Sequence, residues 1–397
     1  MSSKKNFYVE EKYIPNLLKY KYTGVDNSIY YKYVISPICD KITNYLPEWL
    51  LPNTITTMGW ALNLISFILT IYYGGWKGCD YFPPWVCYLC SINYSLYIYI
   101  DAIDGKQARR LKASTPLGVL FDHGCDACTS FFITLTACSC FYYNNIYQYL
   151  LVFIPLTFTF FLNFIEEYYT GVLDLPIING VEEGSLYVSL IFFLSGYYGP
   201  NFYNTQYKVF NKYNLKISEI NGIAVFIGAM LHCLKCLYDI IQKVGKNKVK
   251  DIFKSCFIYI VFISSLLSVI LLNDSIIVKE YPKLFILCYG ILIAKVYCIM
   301  QVCQIINSPL SVNRPIFLIP MLILFAHSIF YYLFKYSLFI SVDILIITSL
   351  VINFFSWLHY VYFCSEEMCE ALNINRFVPG KKYSNRPAFG ESSKKLE

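Results

Sequence analysis

The sequence predicts an all-α, polytopic membrane protein of about ten spanning helices, and three observations carry that prediction. The 397 residues are 57% hydrophobic and only 15% charged. Apolar residues recur in nearly uncharged blocks of about twenty, the length a helix needs to cross ~30 Å of hydrocarbon. Lys and Arg gather in alternate connections between those blocks. A soluble chain of this length needs more charge to cover its surface. Disorder and collagen-like repetition are excluded by the same composition, and a net charge of +6 held in short Lys-rich stretches gives no basis for nucleic-acid binding.

The elements follow in order. Residues 1–32 are polar and Lys-rich, with no visible cleavable leader. Residues 33–51 mix apolar positions with Asp40, Lys41 and Glu48 ahead of Trp49, the pattern of an N-terminal interfacial helix or of a plain juxtamembrane linker. Span 1 runs from Thr54 to Gly74, span 2 from Pro84 to Arg109, span 3 from Pro116 to Tyr142 and span 4 from Tyr147 to Glu166. Span 5, from Ser185 to Tyr198, is short. Span 6 covers Asn221 to Val244, span 7 Ile252 to Leu272, span 8 Leu284 to Ile305, span 9 Pro315 to Phe334 and span 10 Phe339 to Cys364.

The positive-inside rule agrees with ten spans. It puts the N-terminal lysines, Arg109, Arg110 and Lys112 after span 2, and Lys243, Lys246, Lys248 and Lys250 after span 6 on one side. Arg314 and the tail residues Lys381 and Lys382 fall on that side too, so both termini are expected in the cytosol. Cys87/Cys90, Cys125/Cys128 and Cys233/Cys236 have CxxC spacing, but all three pairs lie inside apolar blocks, where cysteine serves as a small hydrophobe.

Acidic residues inside spans are costly, yet Asp101, Asp104, Asp122 and Asp126 are concentrated in spans 2 and 3. At roughly 100° per residue, Asp101, Asp104, Gly105 and Ala108 share one face of span 2 with Arg109 at its edge. Gly118, Asp122 and Asp126 follow at i, i+4 and i+8 on span 3. The short loop makes the two helices antiparallel neighbours, and Thr115 or Ser114 can cap span 3 ahead of Pro116. Four aspartates cannot all ionise at such range beside one arginine unless cations compensate. Two divalent ions would suffice, and all-oxygen ligation favours magnesium or manganese, a pair suited to clamping a pyrophosphate. Gly105, Ala108 and Gly118 would let a nucleotide approach the backbone.

Read in full, Asp101-Ala-Ile-Asp104-Gly105-Lys-Gln-Ala108-Arg109, eight residues, then Gly118-Val-Leu-Phe-Asp122-His-Gly-Cys-Asp126 matches every position of the CDP-alcohol phosphotransferase signature. The chain resembles the eukaryotic choline/ethanolamine phosphotransferase branch of that family. Tyr20 to Ser28, the Pro52-Asn53-Thr-Ile55-Thr56 opening of span 1, and Thr170-Gly171 through Asn179-Gly180 to Glu183-Gly184 extend the likeness. After span 6 only hydropathy and span count support it.

The resemblance implies an endoplasmic-reticulum enzyme, homodimeric, with its active site towards the cytosol. It would transfer phosphocholine or phosphoethanolamine from CDP-choline or CDP-ethanolamine to diacylglycerol and release CMP. Residues 52–244 would then be the catalytic unit, 245–366 the C-terminal transmembrane helices and 367–397 a cytosolic tail. Asp101, Asp104, Asp122 and Asp126 inherit two magnesium ions. Gly105, Ala108, Arg109 and Gly118 inherit the nucleotide site, with Asn53 a contact from span 1. Val119 belongs to the same stretch, where Glu is expected in close animal and yeast relatives.

A neutral alcohol also needs a base. Asp126 is one candidate, but a carboxylate engaged by metal accepts protons poorly. His123 is suited to the task near neutrality, and Glu183, on a loop of the same side, could orient its imidazole. We favour His123. His232, His327 and His359 read as packing residues, and the tyrosines Tyr94, Tyr97 and Tyr99 of span 2 as the nearest candidates for a quaternary ammonium cage. Lys394-Lys395-Leu396-Glu397 resembles a dilysine retrieval signal. The rival from another class, a cation-coupled transporter, predicts intramembrane acids in both halves of the chain. Spans 7 to 10 are nearly free of them.

Overall fold

The computed structural model describes residues 7–377 apart from 80, 82, 210–212, 246–247, 311–318 and 335–339. The dilysine tail, Arg314, Lys246, Lys381, Lys382 and the expected first residues of spans 9 and 10 therefore lie outside the described residues. Ten long helices occupy the ten expected spans. They are α3 (Pro52–Gly74), α4 (Pro84–Arg110), α5 (Pro116–Cys140), α6 (Ile146–Thr170), α7 (Glu182–Asn204), α8 (Ile217–Val244), α9 (Val249–Leu272), α11 (Pro282–Ile305), α12 (Ile319–Phe334) and α13 (Val342–Leu372). Among the described residues, three short α-helices complete the set: α1 (Ile14–Lys19), α2 (Ser36–Tyr45) and α10 (Ile276–Glu280).

Among the described residues, seven of the ten long helices are both long and apolar enough to cross a membrane on those grounds alone. The others are α5, α7 and the 16-residue α12. α5 carries Asp122, His123 and Asp126, and α7 opens on Glu182 and Glu183 and is rich in Ser, Gly and Tyr, so polar residues lower the hydropathy of both. The short span 5 of the sequence ends where it does for a reason: Gly199 takes a non-helical conformation (φ 69°, ψ −175°) and Pro200 follows, breaking α7 at a kink before it resumes to Asn204.

The helices form one bundle. α4 packs on α3 and α7, α6 on α8, α9 on α12, and α5 on both α3 and α11. α11 lies deepest, against α5, α6 and α13, and Tyr297 on it donates to the Thr157 carbonyl of α6 at 2.6 Å. The C-terminal helices thus share a hydrophobic core with the first six.

The interfacial segment is a helix in its first half, α2, and irregular from Leu46 to the start of α3. Its buried face, Ile35 and Cys39, rests on Ile55, Ile98 and Ile103 of α3 and α4. Lys106 of α4 ties it down, donating to Asp40 at 2.7 Å and Ser36 at 2.9 Å, while Tyr33, Tyr45 and Trp49 stay exposed, as an interfacial element requires.

Two ribbons join distant segments. β1 (Gly24–Asp26) pairs in parallel with β2 (Leu173–Leu175), Gly24 opposite Leu173, which holds the N-terminal segment beside the end of α6. β3 (Gln206–Val209) pairs antiparallel with β4 (Tyr213–Lys216) between α7 and α8. The N-terminus is also clamped to α13: Glu367 accepts from the amides of Phe7, Tyr8 and Val9, each at 2.8 Å. All 16 cysteines are free thiols, 13 of them fully buried, in keeping with their reading as small hydrophobes.

Candidate active site

The α4/α5 hairpin is built by its turn. Lys112 adopts a left-handed conformation (φ 52°) just past α4, and the Ala113 amide reaches back to the Ala108 carbonyl at 2.9 Å, which reverses the chain at once. Thr115 caps α5, its hydroxyl accepting from the Gly118 amide at 3.1 Å, and Pro116 occupies the first turn. The two acidic stripes are thereby set side by side.

Ligand oxygens of Asp101, Asp122 and Asp126 all come within 4.8 Å of one another. Asp104, only 5% exposed, is turned to α3, where the Thr56 hydroxyl donates to it. Tyr97 donates to Asp126. One oxygen of Asp122 is buried without any hydrogen-bond partner. Half-buried carboxylates this close, with one oxygen of Asp122 orphaned, fit a divalent cation by their chemistry: oxygen donors only, converging, and in need of positive charge.

A cavity of about 310 Å³ opens beside this cluster, at Asp122. Asp104 and Asp122 reach into it, with Asn53, Gly105, Ala108, Arg109, Gly118 and Val119 along its walls, so every expected nucleotide contact lines one space. Gly105 and Gly118 leave room there. A Cβ on Gly105 would stand 3.5 Å from the Arg109 guanidinium, and one on Gly118 would stand 3.5 Å from the Thr115 hydroxyl and 3.8 Å from the Asn53 amide oxygen. Asn53 is held from outside by the Arg376 carbonyl at 2.9 Å.

His123 lines the same cavity. Its imidazole is gripped edge-on by Tyr22 at 5.6 Å and Phe164 at 6.1 Å. Glu183 does not reach it, which corrects the expected pairing. The Glu183 carboxylate accepts from the Ser28 hydroxyl at 2.7 Å and from the amides of Tyr30 and Asn179 at 3.2 and 2.9 Å, fastening the N-terminal segment to the start of α7. Those three donors satisfy it where it stands. The carboxylate beside His123 is Glu167, 3.8 Å from Nδ1.

Glu167, Thr56 and Tyr22 were not singled out from the sequence. Glu167 had a signal: α6 runs to Thr170, past the expected end of span 4 at Glu166, which makes Glu167 an acid inside a helix of the membrane bundle. Thr56 and Tyr22 lie in stretches that carry the family likeness, but nothing local marks a hydroxyl or a ring that meets a residue far along the chain. The tyrosine stripe is mostly spoken for. Tyr94 bonds Ser185 at 2.9 Å and stacks on Tyr97, Tyr97 serves Asp126, and Tyr99 meets Tyr30 at 3.1 Å.

Residues 49–206, which hold this whole hairpin, match the family described as CDP-alcohol phosphatidyltransferase. The chain is 30% identical over 324 residues to Ethanolaminephosphotransferase 1 of Mus musculus, covering 76% of this chain and 78% of that protein. It is 29% identical over 320 residues to Cholinephosphotransferase 1 of Danio rerio, covering 77% and 80%. With Choline/ethanolaminephosphotransferase 2 of Arabidopsis thaliana it shares 37% identity over 180 residues, 45% of each chain.

Proposed function

The chain belongs to the CDP-alcohol phosphatidyltransferase family, and we propose that it transfers phosphocholine or phosphoethanolamine from the CDP ester to the hydroxyl of diacylglycerol, releasing CMP. One observation carries this reading. The carboxylates of Asp101, Asp122 and Asp126 converge, and Asp122 together with Asp104 lines a cavity shared with Arg109, the small residues Gly105, Ala108 and Gly118, and a histidine. A nucleotide diphosphate ester needs such a cradle, and an alcohol nucleophile needs the imidazole.

Asp101, Asp122 and Asp126 would hold magnesium, with Asp104 joining them on release from Thr56. When bound, the metal supplies positive charge to the pyrophosphate. The protein's own groups do the rest. Gly105, Ala108 and Gly118 admit the nucleotide close to the backbone, and Arg109 faces the charge that builds on the departing CMP oxygen. His123 takes the proton of the diacylglycerol hydroxyl as its oxygen bonds to the β-phosphorus. The bond from that phosphorus to the CMP oxygen breaks, and CMP keeps the electron pair. The lysine-rich connections support a hairpin turn that faces the cytosol; the family resemblance supports an endoplasmic-reticulum enzyme, and we take it to act as a homodimer whose catalytic unit is 52–244.

CMP release by purified protein in mixed micelles with diacylglycerol and magnesium tests this. Diacylglycerol-dependent release from CDP-choline or CDP-ethanolamine is expected, their ratio fixing the head-group preference. Release from neither, in folded protein, refutes it.

A further inference from the structure

We propose that Glu167 is the positioning residue for His123, fixing the imidazole through Nδ1 so that Nε2 is left for the acceptor hydroxyl; this rests on the reading of His123 as the base. The side chain of Glu167 is 3% exposed, and one of its oxygens is buried with no hydrogen-bond partner. A carboxylate that dry costs several kcal/mol unless a partner compensates. Among the described residues, the imidazole of His123 lies 3.8 Å from Glu167, and the side chain of Gln301 also hydrogen-bonds to this carboxylate.

Its neighbour is settled quite differently. Glu166, about 100° further round the helix, takes Lys243 at 3.5 Å and the Cys236 thiol at 3.4 Å. Two adjacent acids on α6 thus serve two ends: Glu166 ties α6 to α8, and Glu167 turns to His123.

Two aromatic rings flank the imidazole. Phe164, one turn before Glu167 on the same face of α6, stacks on Tyr297 of α11 at 5.4 Å and presents its edge to the imidazole. Tyr22 closes the other side. The 3.8 Å contact is longer than a hydrogen bond, and a small turn of the imidazole would bring Nδ1 within reach of Glu167. The proton taken from the alcohol by Nε2 creates an imidazolium, which Glu167 stabilises until the proton leaves to CMP or water.

The test uses full-length protein in mixed micelles with diacylglycerol, magnesium and CDP-choline or CDP-ethanolamine, whichever turns over. Glu167→Ala is expected to lower kcat roughly 10- to 100-fold, the usual effect of removing such an orienting carboxylate. KM for the nucleotide and calorimetric binding of CMP should stay as in the wild type. Glu167→Gln, which can still accept from Nδ1–H, should recover most of the loss. In a His123→Ala background, Glu167→Ala should cost nothing more. If Glu167→Ala elutes aggregated, Glu167→Asp, with the charge kept and the reach shortened, should show the same fall in kcat.

Wild-type kcat in Glu167→Asp or Glu167→Ala overturns the proposal. So does an equal loss in both His123 backgrounds, or a loss confined to KM. A wild-type rate in His123→Ala overturns the reading of the base as well, and thereby separates the two failures.

Discussion

The α4/α5 hairpin and α11 both bury charge inside the bundle, and they treat it in opposite ways. On α11, Lys283 is fully buried, yet its ammonium donates to the carbonyls of Gly74 and Gly75 at 3.4 and 2.8 Å, where α3 ends. Lys295, 2% exposed, donates to Ser356 of α13. Both lysines are used as clamps between helices, and the last carbonyls of α3 gain the positive charge that a helix C-terminus favours. In the hairpin, three carboxylates crowd within 4.8 Å, and one Asp122 oxygen has no partner at all. A buried charge with its partners in place holds a fold together, whereas buried like charges without them mark a site that waits for a ligand.

The largest effect should come from the crowded side. Asp122→Ala or Asp101→Ala is expected to cut CMP release by roughly a thousandfold or more, the several kcal/mol that an assisting cation contributes. Folding should not suffer, because each change removes one of several repelling charges. Magnesium should raise the melting midpoint of the wild type, by RT ln(1 + [Mg]/Kd) or ~2.7 kcal/mol at a hundredfold excess over Kd, and leave either variant unmoved. A magnesium-dependent shift that survives in Asp122→Ala would break the contrast between the two regions.

Next in size is the satisfied side. Lys283→Met should leave kcat near the wild-type value and cost about 1–3 kcal/mol of stability, the loss from leaving buried carbonyls without a donor, seen as a lower melting midpoint in detergent. A full loss of activity with no change in melting would show that Lys283 is more than a clamp. The smallest effect belongs to the hairpin's own scaffold: Thr115→Ala should cost about 1 kcal/mol through the lost cap of α5, with a modest fall in kcat as Gly118 loosens. Melting and steady-state rates measured on the same preparation check both.

Much of this was legible in the sequence. The expected spans coincide with helices, α4 beginning at Pro84 and α5 at Pro116 as read, because apolar runs of membrane length and a proline at the first turn are local signals. The Thr115 cap and the antiparallel hairpin follow from a short loop and a capping residue. The gathering of Asn53, Gly105, Ala108, Arg109, Gly118 and Val119 around one cavity follows what the family resemblance implied, since spacing groups only the residues within each helix. Glu183 was misjudged because proximity along a loop says nothing about which donors claim a carboxylate. Ser28 and two amides claim this one.

By itself, then, the sequence determined the membrane class, the helices and the acidic stripes, since hydropathy and a 3.6-residue period act over a turn or a span. Tertiary structure decided which acid meets His123, that Asp104 turns to Thr56, and that the N-terminal segment closes over the site through β1 and β2. Those outcomes depend on how one helix is rotated and seated against another. That is fixed by packing between residues far apart in the chain, for which no local pattern exists.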